Sequence, residues 1–329
     1  MVRYFEIQLY VLCLMFFSVG CTSAVERVQT SIYAWFPDGR VNQVTPNNGM
    51  FYQSCIHPLG ESVIYSGAES GAPRIWRTDL KDMNTKALTP EGVASLHGVF
   101  SWDGKKIAFT SDMNSEKDLP TFTIDDIPAQ GTPPFTSVMH IHVMDAETGQ
   151  IRQLTSGDFV DQRPTFSPDG RYITFVRSSF GSLGTILPTL WTIPVDGSVP
   201  PQKINIDGIG LAYRPWYTPD GQRIFFFTID FTLRHRIASI DVNGGEMTYF
   251  SSDDDGRSHG PFVSTDGKYL IIHSTRGEGD NHKLWQFELP EGEPSRLLPP
   301  GMDPSMNIMH GTRSKNGVTA FDTFLKLSE

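Results

Sequence analysis

Short apolar runs alternate with tight polar turns along most of the chain. The runs include Val63-Ile64-Tyr65, Ile107-Ala108-Phe109, Ile173-Thr174-Phe175, Ile224-Phe225-Phe226-Phe227, Leu270-Ile271-Ile272 and Val318-Thr319-Ala320-Phe321. They are strand length and rich in branched and aromatic residues, which suits a pleated, buried surface. Each follows a turn of one type. The clearest copy is Ser167-Pro168-Asp169-Gly170; others are Ser101-Trp102-Asp103-Gly104, Thr218-Pro219-Asp220-Gly221 and Ser264-Thr265-Asp266-Gly267. His57-Pro58-Leu59-Gly60 and Ser314-Lys315-Asn316-Gly317 are degenerate copies. Asp-Gly and Asn-Gly favour the positive φ angles of tight hairpin turns. A third strand follows in each unit, often with an aromatic residue: Ile75-Trp76, Leu190-Trp191, Leu284-Trp285. Ile141-His142-Val143 and Arg236-Ile237-Ala238 are its counterparts in the second and fourth units. A short fourth strand completes the unit, as at Ile151-Arg152-Gln153-Leu154. Four short antiparallel strands per repeat make a propeller blade.

The turn glycines Gly60, Gly104, Gly170, Gly221, Gly267 and Gly317 mark six units. The last unit ends after two strands, near Phe324. Its missing strands stand at the other end of the chain, in Ile32-Tyr33-Ala34-Trp35 and Val41-Asn42-Gln43-Val44. Pairing the two ends in one blade removes the open edges that invite aggregation. The predicted fold is therefore all-β. It is a six-bladed β-propeller of four-stranded antiparallel blades over residues 31–329, closed by its N- and C-terminal strands. The wide gap between Gly104 and Gly170 holds a Pro-rich, acidic insertion at about 112–137, read as an exposed loop.

Composition narrows the function. Of 329 residues, 39% are hydrophobic and 19% charged, which supplies a real core and excludes global disorder. The net charge is −10 with no basic stripe, so nucleic acid is not an expected partner. A local basic pocket for an anionic ligand remains compatible with that charge. Residues 1–20 read as a secretory signal: Arg3, then an apolar stretch ending in Phe17-Ser18-Val19-Gly20-Cys21. That ending resembles a bacterial lipobox, with Cys21 as the lipidated residue; an ordinary signal cleaved near Ala24 is the alternative. Residues 21–30 form a short linker. Export to the periplasm or outer membrane is expected, as a monomer that meets the membrane only through its lipid anchor. Of three cysteines, Cys55 is then the one free thiol.

The repeat of Ser-Pro-Asp-Gly, an apolar run and then Ile/Leu-Trp resembles the TolB-like, PD40-type repeats of bacterial envelope propellers. The resemblance covers about residues 31–325. It implies a propeller that binds a protein or glycan partner at the cell envelope. TolB carries a further N-terminal α/β domain, and few residues separate Cys21 from the first strand here, so a Tol-system role is not expected. The same blades occur in prolyl oligopeptidase relatives, but the chain holds no Gly-x-Ser-x-Gly nucleophile turn. His-Glu-x-x-His, paired Cys-x-x-Cys and a phosphate-binding glycine loop are also missing from the sequence.

Inner strands of a propeller begin at one rim of the central channel. Aligned on the turn, the residue four before the Ser position is Gln53, His97, Arg163, Arg214, Gly260 and His310, with His259 beside Gly260. Gln53, His97, Arg163, Arg214, His259 and His310 are the predicted ligand-binding rim. Polar rim residues are expected whatever the function, so a binding rim without catalysis is the first reading. The second is a catalytic or metal site, with His97, His259 and His310 as candidate catalytic residues. Neutral imidazoles of His97, His259 and His310, with the oxygen of Gln53, could hold a divalent manganese, calcium or zinc ion. Arginine pairs with a carboxylate in two-point geometry, and histidine can take a proton. The rim is similar in placement to that of oligogalacturonate-lyase propellers. The similarity implies a metal-assisted lyase or hydrolase on an acidic oligosaccharide. Those enzymes have seven blades and a Gln-x-x-His-x-His cluster that this chain lacks. Elsewhere, His140 and His142 share a strand face, and Asp253-Asp254-Asp255-Gly256 is an acidic turn. Packing and a solvated turn are the preferred readings there. Trp76, Trp191 and Trp285 read as packing between blades.

Overall fold

A computed structural model describes residues 28–46, 49–69, 71–115, 118–122, 135–178, 188–207, 211–230, 232, 234–251, 256–277, 279, 281–290 and 292–326. The expected signal, Cys21 and Asp253-Asp254-Asp255 lie outside them. The chain folds into six four-stranded antiparallel sheets, one per blade. The N-terminal strands are β1 (Val28–Trp35) and β2 (Val41–Gln43). Blade one is β3 (Met50–Ile56), β4 (Ser62–Ala68), β5 (Arg74–Asp79) and β6 (Thr85–Ala87). Blade two begins with β7 (Ser95–Phe100) and β8 (Lys106–Ser111). A small separate sheet, β9 (Asp118–Phe122) on β10 (Phe135–Ser137), intervenes before β11 (His140–Asp145) and β12 (Ile151–Gln153) complete the blade. The insertion thus holds a two-stranded sheet, not only a loop. Blade three is β13 (Val160–Phe166), β14 (Tyr172–Ser178), β15 (Thr189–Pro194) and β16 (Gln202–Lys203). Blade four is β17 (Tyr213–Tyr217), β18 (Arg223–Ile229), β19 (His235–Asp241) and β20 (Thr248–Tyr249). Blade five is β21 (Ser258–Val263), β22 (Tyr269–Ser274), β23 (Lys283–Glu288) and β24 (Ser295–Leu297). Blade six joins β25 (Asn307–Arg313) and β26 (Thr319–Lys326) to β1 and β2, in the order β2-β1-β26-β25.

The predicted closure is present. Strand β1 runs antiparallel to β26 from Val28 opposite Lys326 to Trp35 opposite Thr319. It begins at Val28, inside the stretch read as linker, because backbone pairing extends as far as β26 can supply partners. Blade six is also tied sideways to blade one. Phe51 N donates to Thr30 Oγ1 at 2.7 Å, Ile56 N to Thr312 Oγ1 at 3.0 Å, and Lys315 N to Pro58 O at 2.9 Å.

The repeated turn has a different physical basis from the one its sequence suggests. At Ser167-Pro168-Asp169-Gly170 only the glycine has positive φ, at 69°. Gly170 N donates to Ser167 O at 2.9 Å, which closes the turn. The aspartate acts through its carboxylate: Asp169 Oδ1 accepts from Ser167 Oγ at 2.6 Å and from Arg171 N at 3.0 Å. Ser167 Oγ in turn accepts from Tyr172 N at 2.9 Å. The same Ser/Thr–Asp pair recurs at Ser101–Asp103, Thr218–Asp220 and Ser264–Asp266, each at 2.6 Å. Side-chain bonds to nearby backbone are the reason these residues favour turns.

Between blades the second and third strands pack apolar faces. Tyr65, Phe109, Phe175, Phe226 and Phe321 are fully buried there. Trp76, Trp191 and Trp285 lie partly buried against these clusters, as packing residues. His140 and His142 are buried as well, and His142 stacks on Phe109 at 5.5 Å, which makes them packing residues too.

Candidate functional site at the channel mouth

Each inner strand breaks its pairing register at the same place. The slips fall after Tyr52, Leu96, Gln162, Tyr213, His259 and Met309. The next residue in each strand is Gln53, His97, Arg163, Arg214, Gly260 or His310, and its φ lies between 51° and 59°. Five of the seven non-glycine residues with positive φ among the described residues belong to this ring. A left-handed conformation costs about 1–2 kcal/mol for a residue with a Cβ. Such bulges re-aim side chains and recur at functional sites. Here they turn all six positions toward one cavity of about 100 Å³, partly open to solvent.

Gln53, His97, Arg163, Arg214 and His310 line that cavity with Gly260, so the structure brings the predicted rim together. Trp216 and Phe262 lie across its floor with ring centroids 4.4 Å apart. They also line a second, smaller cavity beside the turn residues Pro58, Ser101 and Thr265. His259 departs from the expectation: it stands beside the cavity, stacked on Phe227 at 4.6 Å, with its Nε2 paired to His235 Nδ1 at 2.8 Å.

Behind the ring stands a second set, on the strands that pair with the inner ones. The residues opposite the slips are Ser66, Thr110, Val176, Phe227, His273 and Asp322. Ser66 Oγ accepts from His97 N at 3.0 Å. Asp322 is fully buried and accepts from four donors. They are Gln53 N, Ser54 N at 3.1 Å, Ser54 Oγ at 2.7 Å and His310 Nδ1 at 2.6 Å. His273 occupies the space that Gly260 leaves: a Cβ on Gly260 would lie 2.5 Å from His273 Cε1. The sequence signal for both was a titratable residue ending an apolar run, at Leu270-Ile271-Ile272-His273 and Ala320-Phe321-Asp322.

The hydrogen bonds fix the protonation of the ring. With its amide oriented to satisfy its neighbours, Gln53 donates to His97 Nε2 at 3.2 Å and accepts from Arg163 Nη1 and Nη2 at 3.1 and 3.2 Å. His97 Nδ1 then carries the hydrogen and donates to Thr110 Oγ1 at 3.4 Å. His310 donates through Nδ1 to Asp322, which leaves Nε2 as a lone pair, buried and without a partner among the described residues. Burial, then the Arg163 and Arg214 charges, holds His97 well below the usual histidine range. Burial and then Arg214 pushes His310 down to about 4, although Asp322 pulls the other way. His259 and His273 are also held well below the usual range, chiefly by burial. The ring at neutral pH is therefore two guanidinium cations among neutral imidazoles.

The candidate metal ligands do not form a ligand set. His97 Nε2 is taken by Gln53 and His259 Nε2 by His235, and no three His, Cys, Asp or Glu groups converge among the described residues. The buried Cys55 thiol lines the cavity wall, and burial pushes it up to about 12, so it is neither a ligand nor a nucleophile as it stands.

Fold and site together define a closed six-bladed β-propeller with a basic polar ring on its axis. Comparison with known proteins makes the class more particular. No protein-family model matches the chain. An uncharacterised protein of Agrobacterium fabrum is 29% identical over 143 residues, covering 40% of this chain and 45% of that protein. The Tol-Pal system protein TolB of Francisella tularensis is 24% identical over 196 residues, covering 44% of this chain and 45% of that one. The chain thus spans under half the length of these relatives. Among solved structures, a putative TolB from Agrobacterium tumefaciens matches with a TM-score of 0.66 at 14% identity, over 92% of this chain and 100% of that one. An oligogalacturonate lyase in complex with manganese matches with a TM-score of 0.53 at 14% identity, over 88% of this chain and 80% of the other. The chain is a six-bladed β-propeller, similar over part of its sequence to TolB and in fold to the putative TolB structure.

Proposed function

We propose that the chain is an exported, cell-envelope binding propeller that holds an acidic group of a protein or glycan partner in its axial ring. One observation carries this reading. The bulges of five inner strands hold non-glycine residues at positive φ, and they gather Arg163 and Arg214 with neutral imidazoles around one cavity. Strain of that kind persists where function needs the geometry. Guanidinium cations partly screened from water are strong partners for a carboxylate. The envelope location rests on the lipobox-like Cys21 and on TolB-named relatives, one of them a Tol-Pal system protein. The test is binding of the full chain to immobilised acidic glycans and acid-rich envelope proteins, beside an Arg163→Gln, Arg214→Gln double variant. Retention that falls at least tenfold in the variant supports the ring as the contact. Equal retention sinks it.

A second reading is eliminative cleavage of an acidic oligosaccharide. It is favoured by the Asp322–His310 pair, which orients a lone pair as a base requires, and by the likeness to the lyase. Its weakness is basicity: a histidine pushed down to about 4 is a poor base at neutral pH. Appearance of an unsaturated, ultraviolet-absorbing product from oligouronates, lost in His310→Gln, would place this reading first.

A further inference from the structure

The cavity presents more than positive charge. Arg163 is nine-tenths buried, and its Nε has no partner among the described residues. Its other two nitrogens meet the neutral oxygen of Gln53, and its charge lies over the Tyr213 ring at 4.9 Å. No described carboxylate neutralises it. His310 is equally buried, and its Nε2 can only accept, because Nδ1–H is committed to Asp322. His273, in ring contact with His310 at 5.1 Å, has no hydrogen-bond partner for Nδ1 among the described residues. A buried donor on a cation and a buried acceptor on a neutral ring thus belong to two residues that line the same cavity. Buried polar groups in native proteins find partners.

A plain carboxylate answers only half of this. It satisfies the guanidinium but turns its own lone pairs on His310 Nε2. A neutral polyol does the reverse: its hydroxyl donates to His310 and leaves the cation unmatched. We propose that the ring selects ligands carrying a carboxylate with a hydroxyl on the neighbouring carbon, the carboxylate on Arg163 and the hydroxyl donating to His310 Nε2. The source is either a free hydroxy acid or the aldonic-acid end of an oxidised glycan. The inference rests on the reading of the ring as a binding site for an acidic group and narrows it to one chemical class.

The experiment uses the full chain and three matched three-carbon probes, D-glycerate, propionate and glycerol, at one ionic strength, read by thermal shift and titration calorimetry. D-glycerate is expected to bind at least tenfold more tightly than propionate, and glycerol not to bind. Arg163→Gln is expected to abolish binding of both acids. His310→Phe is expected to abolish the tenfold advantage of D-glycerate over propionate. If that variant does not fold, the wild-type probe series and Arg163→Gln still decide the matter. D-glycerate no tighter than propionate, with both lost in Arg163→Gln, overturns this inference and leaves the parent reading standing. No binding of either acid overturns both. A final arm compares D-gluconate with an oligosaccharide that ends in the same aldonate. A tenfold advantage for the longer chain supports the proposal with a glycan end as the source, and parity supports it with the free acid.

Discussion

Gly260 and His273 share one space: the position a Cβ would take on Gly260 lies 2.5 Å from His273 Cε1, and Gly260 holds φ at 58°. The blade-five position therefore has no ring side chain of its own, and the imidazole of the neighbouring strand fills the space a side chain would take. Gly260→Ala must displace a buried ring as well as accept a left-handed backbone. The expected loss is about 2–5 kcal/mol in urea unfolding, the sum of overpacking and backbone strain. The matched control is Gly170, with φ of 69° and nothing within 4 Å of the same Cβ position. Gly170→Ala should cost only the backbone part, about 1–2 kcal/mol. Similar losses at the two sites would show that His273 moves aside freely. A Gly260→Ala, His273→Ala double variant should recover the steric part.

That relationship also marks the boundary of what the sequence discloses. The blade count, the closure and the ring of Gln53, His97, Arg163, Arg214 and His310 were legible because a repeated turn gives every blade the same register. Counting back from the turn then reaches the same depth in each inner strand. The partners behind the ring were not legible in the same way. His273 and Asp322 sit on the second strand, where the apolar run suggests only core, and their importance comes from which neighbour they meet across a blade boundary. Asp322 reaches Gln53 and Ser54, far away in sequence, only because the propeller closes. The role of the turn aspartate was likewise hidden: the residue pair was visible, while its carboxylate geometry belongs to three dimensions. His259 shows the opposite error, since adjacency to Gly260 in sequence put it near the ring, and alternation along the strand turned it to Phe227 instead.

Asp322 joins the last blade to the first through a fully buried carboxylate with four donors. Asp322→Asn replaces an oxygen that accepts with a nitrogen that cannot, and leaves buried donors on Gln53 or His310 unmatched. Losing hydrogen bonds to a charged group and leaving a buried donor unmatched costs about 1–3 kcal/mol. Loss of that order in urea unfolding is expected, with earlier proteolytic release of the terminal strands. Asp38→Asn is the contrast. Its ion pair with Arg40 at 2.7 Å joins side chains 54% and 64% exposed, and such solvent-screened pairs contribute little to stability. Comparable effects at the two positions would mean the closure does not depend on Asp322.

Cys55 offers a probe of the closed state. It is buried, its thiol is pushed up to about 12 by burial, and its Sγ lies 3.8 Å from the Ile56 carbonyl oxygen. The thiolate is the reactive form, so the native protein should label with thiol reagents at pH 8 far more slowly than the unfolded chain. Because Cys55 lies in the strand that Asp322 holds, labelling should speed up in Asp322→Asn before the rest of the fold is lost. Labelling of the wild type at the rate of a free thiol would contradict the packing at the cavity wall.

The buried histidines set how the fold responds to acid. His57, His97, His140, His142, His259, His273 and His310 are all held below the usual histidine value of 6.5, each chiefly by burial. Above that value the folded and unfolded chains both carry these rings neutral, so they add no pH dependence. As pH falls through 6.5, the unfolded chain takes up protons that the folded chain refuses, and stability falls. The fall continues until the folded rings titrate, which for His142 and His310 is near 4. Each such ring contributes a slope of up to about 1.4 kcal/mol per pH unit. Urea midpoints should therefore be flat above pH 7 and drop steeply between pH 6.5 and 5, with uptake of several protons on unfolding. His142 isolates one contribution, because it packs on Phe109, its Nδ1 hydrogen-bonds to His140 O at 3.1 Å, and it is not among the residues lining the cavity. His142→Phe should reduce the slope by about one proton while leaving ligand binding at the ring unchanged. A wild-type profile flat down to pH 5 would mean that these rings accept protons in the folded state, and that the propeller opens to water more readily than its packing indicates.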